Sequence, residues 1–230
     1  TKVTNKHLLT IHDRPMIEYP LQTLIDAKIT EILIVTGTEH MGSIVSYLGS
    51  GRDRNVDFTY KVQKTAGGIA QALSLVENVC TNSRIAVILG DNLYEDNFRD
   101  SAKDFEKSDN GNMLFLKEVA DPQRFGVAEI EDGLIKNIEE KPKSPKSNLA
   151  VTGLYFFDET VFDKIRGLKP SARGEYEISD VNQMYVKEGR VSFKIFDGFW
   201  SDAGTFESRR RAEEYVCRRG LEHFLVKNGD

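Results

Sequence analysis

The chain has 230 residues, with 31 Lys and Arg against 36 Asp and Glu, a formal net charge of -5 and 40% hydrophobic residues. That is enough apolar chain to bury a core without disulfide staples, and an acidic balance with no clustered basic face argues against a nucleic-acid or anionic-membrane surface. Cys80 and Cys217 lie far apart outside any CxxC, neither His nor Cys falls at zinc spacing, and no apolar run approaches the ~18 residues of a membrane span, so two packed thiols in a reducing cytoplasm are expected, with no structural metal and no targeting segment.

A helical pattern near 16–28 precedes a strand at Glu31–Thr36 (EILIVT). A helix near 40–48, a strand at Phe58–Val62, a helix near 69–79, a strand at Arg84–Leu89, a helix near 97–107 and a strand at Met113–Val119 follow. Strands alternating with helices predict crossover units and a mixed, mostly parallel sheet flanked by helices, a three-layer α/β core. The second half changes character. Val127–Ile138 (VAEIEDGLIKNI) sets Asp132-Gly133 between two alternating runs, the signal for a tight antiparallel hairpin. β-rich runs at Val151–Phe157 and Val191–Phe196 come next, with helical patterns near 159–167, 177–188 and 205–218. Residues 141–147 (KPKSPKS) are too short for a linker, so a single domain over 1–230 is expected, its second half adding antiparallel strands to the first.

Polar residues interrupt these apolar stretches at few places. Asp91 closes AVILGD at the carboxyl end of a predicted strand, the edge where open α/β sheets bind ligands; an Asp there equally caps a helix or closes a turn. Asp202 sits in FWSDAGT, where a β-rich run gives way to a helix, with Gly204 and Thr205 as the turn and N-cap. Two carboxylates from different strands can share one hard cation such as Mg²⁺, which takes one or two protein carboxylates beside substrate phosphates. Glu139-Glu140-Lys141-Pro142 ends the hairpin, as a solvated charge cluster or as a phosphate contact. Gln63 ends a strand ahead of Ala66-Gly67-Gly68, glycines that either let a ligand approach the backbone or make a plain strand-to-helix turn. Tyr155 and Arg173 are ordinary taken singly. The Walker, GxGxxG, HExxH and GxSxG patterns are absent, and the four His are not spaced as ligand pairs, so P-loop hydrolysis, dinucleotide redox, zinc proteolysis and elbow-type acyl transfer lack their motifs.

Taken in order, KHLL (6–9), RPMI (14–17), Gln63 with GGIAQAL (67–73), LGDN (89–92), DPQRFGVAEI (121–130), IEEKP (138–142), PKSNLAVTGLYFFD (145–158), LKPSARGEYEISDVN (168–182) and FWSDAGTFES (199–208) span the whole chain. They closely resemble the sugar-phosphate nucleotidyltransferases, in particular the short bacterial branch that acts on dTTP and glucose 1-phosphate. The resemblance implies a Rossmann-like nucleotidyltransferase fold with a nucleotide-binding half over about 1–120, a sugar-phosphate half over about 121–205 and a C-terminal helix over about 205–220. It implies that Lys6 touches the nucleotide phosphates, that Gln63 and Gly68 read the base, and that Asp91 and Asp202 hold Mg²⁺. Gly126, Glu140, Lys141, Val151, Tyr155 and Arg173 then line the sugar-phosphate pocket, with Lys6, Asp91, Lys141 and Asp202 as the catalytic set. The implied products are dTDP-glucose and pyrophosphate, made by a cytoplasmic homo-oligomer, tetramer or dimer, for deoxysugar and surface-polysaccharide synthesis.

Elementary chemistry agrees with those roles. A phosphate monoester is largely dianionic at pH 7, its second pKa being about 6, so its attack on the α-phosphorus of dTTP needs no protein general base. Bringing two anions together needs cations and alignment, which suits a site of carboxylates, lysines and Mg²⁺. A Gln amide pairs with the imide edge that thymine and uracil share, and a methyl in an apolar pocket is worth only ~1–3 kcal/mol, so some use of UTP is expected.

The pattern also departs from the family. Members open with a strand and a loop, GGxGTRLxPLT, whereas this chain opens on TKVTNKHLL, which in the family follows that loop. The expectation is a piece of a longer parent enzyme, with little or no activity of its own and two neighbouring strands left unpaired, at about 1–3 kcal/mol for each buried backbone group. Thr10 stands where the family has Pro, which loosens a turn. Uridylyl transfer to the same sugar and a non-catalytic nucleotide-sugar-binding subunit are the competing possibilities; the presence of Asp91, Asp202, Lys6 and Lys141 together speaks against the second. Arg209–Arg211 and Arg218-Arg219 interleave with Glu207, Glu213, Glu214 and Glu222, the mark of a solvated face or subunit contact rather than a nucleic-acid surface.

Overall fold

A computed structural model describes residues 5–219. Its elements are β1 (Thr10–Ile11), β2 (Arg14–Pro15), α1 (Glu18–Asp26), β3 (Glu31–Gly37), α2 (Met41–Leu48), β4 (Asp57–Gln63), α3 (Ile69–Ser74), β5 (Ile85–Ile88), β6 (Leu93–Tyr94), α4 (Arg99–Lys107) and β7 (Asn112–Glu118). The second half continues with β8 (Gly126–Glu131), β9 (Leu134–Glu140), β10 (Leu149–Phe157), α5 (Val161–Arg166), α6 (Ile178–Lys187), β11 (Val191–Ile195), β12 (Trp200–Ser201) and α7 (Phe206–Arg219).

β10 organises the sheet. Its sequence, LAVTGLYFF, is apolar on both faces, and every residue after the first is buried, as a strand sandwiched between layers must be. Alternate side chains sort to opposite cores: Leu154 and Phe156 pack with Phe115 and the α4 residue Phe105, whereas Tyr155 and Phe157 pack with Leu114, Leu116 and residues of α3, α5 and α6. One edge of β10 pairs antiparallel with β7, and β11 extends β7 in parallel. The other edge is divided. Its first part, Ala150–Val151, pairs with β8, and its second, Leu154–Phe157, pairs with β5. β9 closes the sheet as the hairpin partner of β8, turning through Asp132 at φ 52° and Gly133 at φ 72°, the left-handed pair that a two-residue turn demands.

β3 and β4 form a parallel pair from Glu31–Asp57 to Gly37–Gln63 and share no ladder with β5. Yet β3 and β5 contribute to the same two cores. Ile32 and Ile34 meet Ala86 and Ile88 in the core around α1 and α2, while Leu33 and Val35 join Ile85 and Val87 beside α3. The two strands therefore lie edge to edge in one layer, with a cavity of about 1280 Å³ lined by both.

The three layers, the hairpin and the Thr205 cap appear as expected; Thr205 Oγ1 accepts from Ser208 N at 3.1 Å at the start of α7. Several details differ. The sheet is mixed, but antiparallel ladders outnumber parallel ones, because β10 takes antiparallel partners on both edges. All four β5 residues are only half-buried rather than covered, since one edge of β5 faces the cavity. α3 ends at Ser74, short of the expected 79, with turns over the next five residues. Cys80 is a packed thiol, but Cys217 lies exposed on the outer face of α7. The end of the C-terminal helix near 220 and Glu222 fall outside the described residues.

Candidate active site

The division of one β10 edge creates the site. β5 ends at Ile88 opposite Leu154, and β8 begins at Gly126 opposite Val151, so the two strands lie end to end with a gap between them. The chain leaving β5 fills that gap. Leu89 N donates to Gly153 O at 2.9 Å, and the Asn92 side-chain oxygen accepts from Gly153 N at 3.2 Å and from the Trp200 indole at 2.8 Å. A Cβ at Gly153 would stand 2.8 Å from both Asn92 and Leu89, so only glycine permits this approach. The turn that follows turns Asp91 out of the sheet.

Asp91 and Asp202, 111 positions apart, line one cavity of about 320 Å³. Gly204 marks how close their loops come: a Cβ there would stand 3.1 Å from Asp91 Oδ2 and 3.0 Å from the Asp202 carbonyl. Lys6 Nζ donates to Asp91 Oδ2 at 2.6 Å, and Asn92 Nδ2 donates to the other oxygen at 3.0 Å. Among the described residues no group of three or more His, Cys, Asp or Glu could hold a metal. Two carboxylates facing one groove are nonetheless a donor set for a hard cation whose remaining ligands are water and phosphate oxygens. Mg²⁺ fits that description.

The same cavity gathers Gly126, Glu140, Lys141, Val151, Tyr155 and Arg173, all six residues expected around a sugar phosphate. Glu140, the last residue of β9, accepts from Ser179 Oγ at 2.5 Å and faces Arg173 Nη2 at 3.4 Å. Lys141 holds φ at 45°, a left-handed conformation uncommon outside glycine, and its backbone N donates to Phe125 O at 3.0 Å. This fastens the end of the hairpin to the turn before β8. Gly126 lies under the pocket, where a Cβ would come within 3.4 Å of both Ser179 Oγ and Glu140 Oε2. Burial, and then the charges of Glu140 and Asp91, push the Tyr155 phenol up, so it is present as the neutral hydroxyl.

Asp91, Ile69, Leu89 and Glu175 line both this cavity and the larger one, which also holds Lys6, Gln63 and Gly68. Gln63 Nε2 donates to Gly68 O at 3.1 Å and to Gln71 Oε1 at 2.8 Å. Gly68 carries φ 95° and presses on Tyr176, whose carbonyl would lie 2.5 Å from a Cβ. His7, beside Lys6, is held by Asn5 Oδ1 at 2.7 Å; burial first and then the Lys6 charge push its imidazole down to about 4, with Asp91 pulling the other way.

Sequence reasoning missed three residues here. Arg124 bridges Asp121 at 2.9 Å and Asp202 at 2.7 Å, and Glu177, buried, receives Arg173 through Nε at 3.2 Å and Nη2 at 2.8 Å and Ser171 Oγ at 2.7 Å. Ser179 is the third. Arg173 and Glu177 stand four apart with Glu175 between them, a charge pattern that carries no geometric meaning until α6 begins at Ile178.

A family profile described as Nucleotidyl transferase matches residues 1–219. The chain belongs to the nucleotidyltransferase family. Within it, the chain is 42% identical over 220 residues to the glucose-1-phosphate thymidylyltransferase of Neisseria meningitidis serogroup A, covering 94% of this chain and 76% of that one. It is 41% identical over 226 residues to the enzyme of the same name from Mycolicibacterium smegmatis, covering 95% and 78%. A Bacillus anthracis protein described as a glucose-1-phosphate thymidylyltransferase, solved with sucrose, superposes with a TM-score of 0.91 at 48% identity, over 100% of this chain and 91% of that one. A UDP-glucose pyrophosphorylase solved with UDP-glucose superposes with a TM-score of 0.83 at 27% identity, over 94% and 91%.

Proposed function

We propose that the protein transfers a thymidylyl group from dTTP to glucose 1-phosphate, giving dTDP-glucose and pyrophosphate. The observation that carries this proposal is the junction of two cavities at Asp91, with Lys6, Gln63 and Gly68 on one side and Asp202, Glu140, Lys141, Tyr155 and Arg173 on the other. A nucleotide laid on the first side and a sugar phosphate on the second would have their phosphates meet beside Lys6 and the two carboxylates. The relatives named as glucose-1-phosphate thymidylyltransferases support the same substrates.

In this proposal Lys6 and Lys141 place positive charge beside the converging phosphates, and Arg173, braced by Glu177, orients the sugar phosphate. Glu140, anchored by Ser179, accepts from sugar hydroxyls. Asp91 and Asp202 would hold Mg²⁺, which neutralises and aligns phosphate oxygens when bound. Gln63 and Gly68 read the imide edge of the base. The protein works as a cytoplasmic homo-oligomer, tetramer or dimer, in deoxysugar and surface-polysaccharide synthesis.

Pyrophosphate release from dTTP and from UTP, each with glucose 1-phosphate and Mg²⁺, tests the proposal on this chain and on the chain extended ahead of Thr1 by the strand and GGxGTRLxPLT loop of the family. Release with dTTP, and more slowly with UTP, supports it. Tight binding of dTDP-glucose by both forms without any release identifies a binding subunit instead, and faster release with UTP identifies a uridylyltransferase.

A further inference from the structure

Each of the two carboxylates at the site already holds a fixed cation. Lys6 Nζ lies 2.6 Å from Asp91 Oδ2, and Arg124 Nη2 lies 2.7 Å from Asp202 Oδ2. Arg124 is not a loose surface side chain. Its Nη1 donates to Asp121 Oδ2 at 2.9 Å, its guanidinium sits 5.0 Å from the centre of the Phe125 ring, and that ring packs 5.1 Å from Trp200, two positions before Asp202. The turn Pro122–Arg124 thus carries the guanidinium to the mouth of the cavity and braces it there.

Resting on the nucleotidyl-transfer proposal, we propose that Arg124 is a masking counter-ion: in the ligand-free protein it and Lys6 neutralise Asp202 and Asp91, so that a divalent cation enters only together with a polyphosphate. Counting Asp121, which shares the Arg124 guanidinium, three carboxylates and two cations leave a net charge of −1 where the carboxylates alone would carry −3. A bare dication approaching them meets repulsion from the ammonium and guanidinium that offsets much of its attraction to the acids, because each basic group lies against its carboxylate, at 2.6 and 2.7 Å, and the pairs are only partly screened. A nucleoside triphosphate reverses that balance. It brings oxygens that complete the cation's shell, and it offers both basic groups new anionic acceptors, for which the guanidinium fork is well shaped. Arg124 is then a positioning residue that links cation entry to nucleotide entry and keeps the free site from filling with adventitious metal.

The test titrates Mn²⁺ into the full chain, following free Mn²⁺ by electron paramagnetic resonance, without and with dTTP. Without dTTP, Arg124→Gln should bind Mn²⁺ about tenfold more tightly than the native protein, the scale of one removed charge at a partly exposed site, whereas Arg124→Lys, which keeps the charge, should stay weak. Lys6→Gln, on a different element and half-exposed, makes the parallel test on Asp91 and should also tighten binding. Native-like or weaker Mn²⁺ binding by Arg124→Gln overturns the masking role, as does tight binding of Mn²⁺ by the native protein alone. Asp202→Asn separates this from the underlying proposal. If Asp202→Asn leaves capture of Mn²⁺ with dTTP intact, the assignment of the site itself fails; if it abolishes capture while Arg124→Gln changes nothing, only the masking fails.

Discussion

The Lys6 ammonium and the Asp91 carboxylate, separated by 85 positions, meet at 2.6 Å at the point where the two cavities join. The pair is partly exposed, its side chains retaining 43% and 16% of their accessible surface, so its worth to folding is about 0–1 kcal/mol. Under the proposed function Lys6 is worth more to ligand binding, since a charge-assisted hydrogen bond to a phosphate contributes about 1.5–3 kcal/mol. Lys6→Met should therefore weaken dTTP binding in the presence of Mg²⁺ by about 10- to 100-fold by titration calorimetry, while the urea midpoint barely moves. A large loss of stability with unchanged dTTP affinity would make Lys6 a purely structural residue.

Glu177 should control the other side of the site through Arg173. It accepts two bonds from that guanidinium and one from Ser171, and it lies buried behind the pocket wall. Glu177→Gln keeps the shape but removes the charge that fixes the fork. Affinity for glucose 1-phosphate should fall about tenfold, a loss of the size seen when an outer hydrogen-bond partner is removed, and dTTP affinity should stay native. Equal losses for both ligands would show that Glu177 supports the fold rather than Arg173.

How much of this was visible in the chain itself depends on what kind of information each feature carries. The strand LAVTGLYFF and the hairpin turn Asp132-Gly133 are local: apolar density and the left-handed preference of Asp-Gly specify them without neighbours. Asp91, Asp202 and Lys6 stood out because each interrupts an apolar run or belongs to a recognisable block. Arg124 and Glu177 did not, because their importance lies in partners 78 and 4 positions away, Asp202 and Arg173, to which no local pattern points. The half-burial of Ile85–Ile88 was likewise beyond local pattern, since an apolar run reports what a strand prefers and not whether its second edge is covered.

Acid should destabilise the protein in two stages. The His7 imidazole, pushed by burial and by Lys6 from an ordinary 6.5 to about 4, takes its proton in the unfolded chain before it does in the folded one. Stability is therefore lost as pH falls from about 6.5 towards 4. At Asp158 burial alone pushes the carboxyl up, but hydrogen bonds from Thr160, Tyr185 and Arg190 outweigh it and hold the group below the ordinary range. A depressed carboxylate stabilises the fold above its unfolded pKa and loses that contribution as pH falls through the folded value, so this second stage lies below about pH 4. Urea midpoints measured from pH 7 to pH 3 should show both stages. His7→Asn should flatten the first, and Asp158→Asn should flatten the second and lower stability at pH 7 by about 1–3 kcal/mol, since it disturbs a buried acceptor with three side-chain donors. A midpoint that stays level from pH 7 to pH 5 contradicts the buried, neutral His7.

The cavity between β3 and β5 makes a prediction about backbone protection. A strand with partners on both sides has every amide in a ladder, whereas a strand with one partner presents alternate N–H groups to whatever lies on its other side. Among the described residues β10 is flanked on both edges, β5 by β10 alone, and β3 by β4 alone. Hydrogen exchange followed by nuclear magnetic resonance should thus give protection at nearly every amide of the β10 segments that face two partners, and protection alternating with rapid exchange along Ile85–Ile88 and Glu31–Gly37. The two free edges are also templates for another strand, which the Val- and Ile-rich faces above and below them would stabilise once it was in place. Adding an extended apolar segment ahead of Thr1 should then raise the melting temperature and convert the alternating pattern on both strands to continuous protection. Continuous protection of Ile85–Ile88 in the chain without that addition would mean that β5 is already paired on its second edge, and that the cavity does not exist in solution.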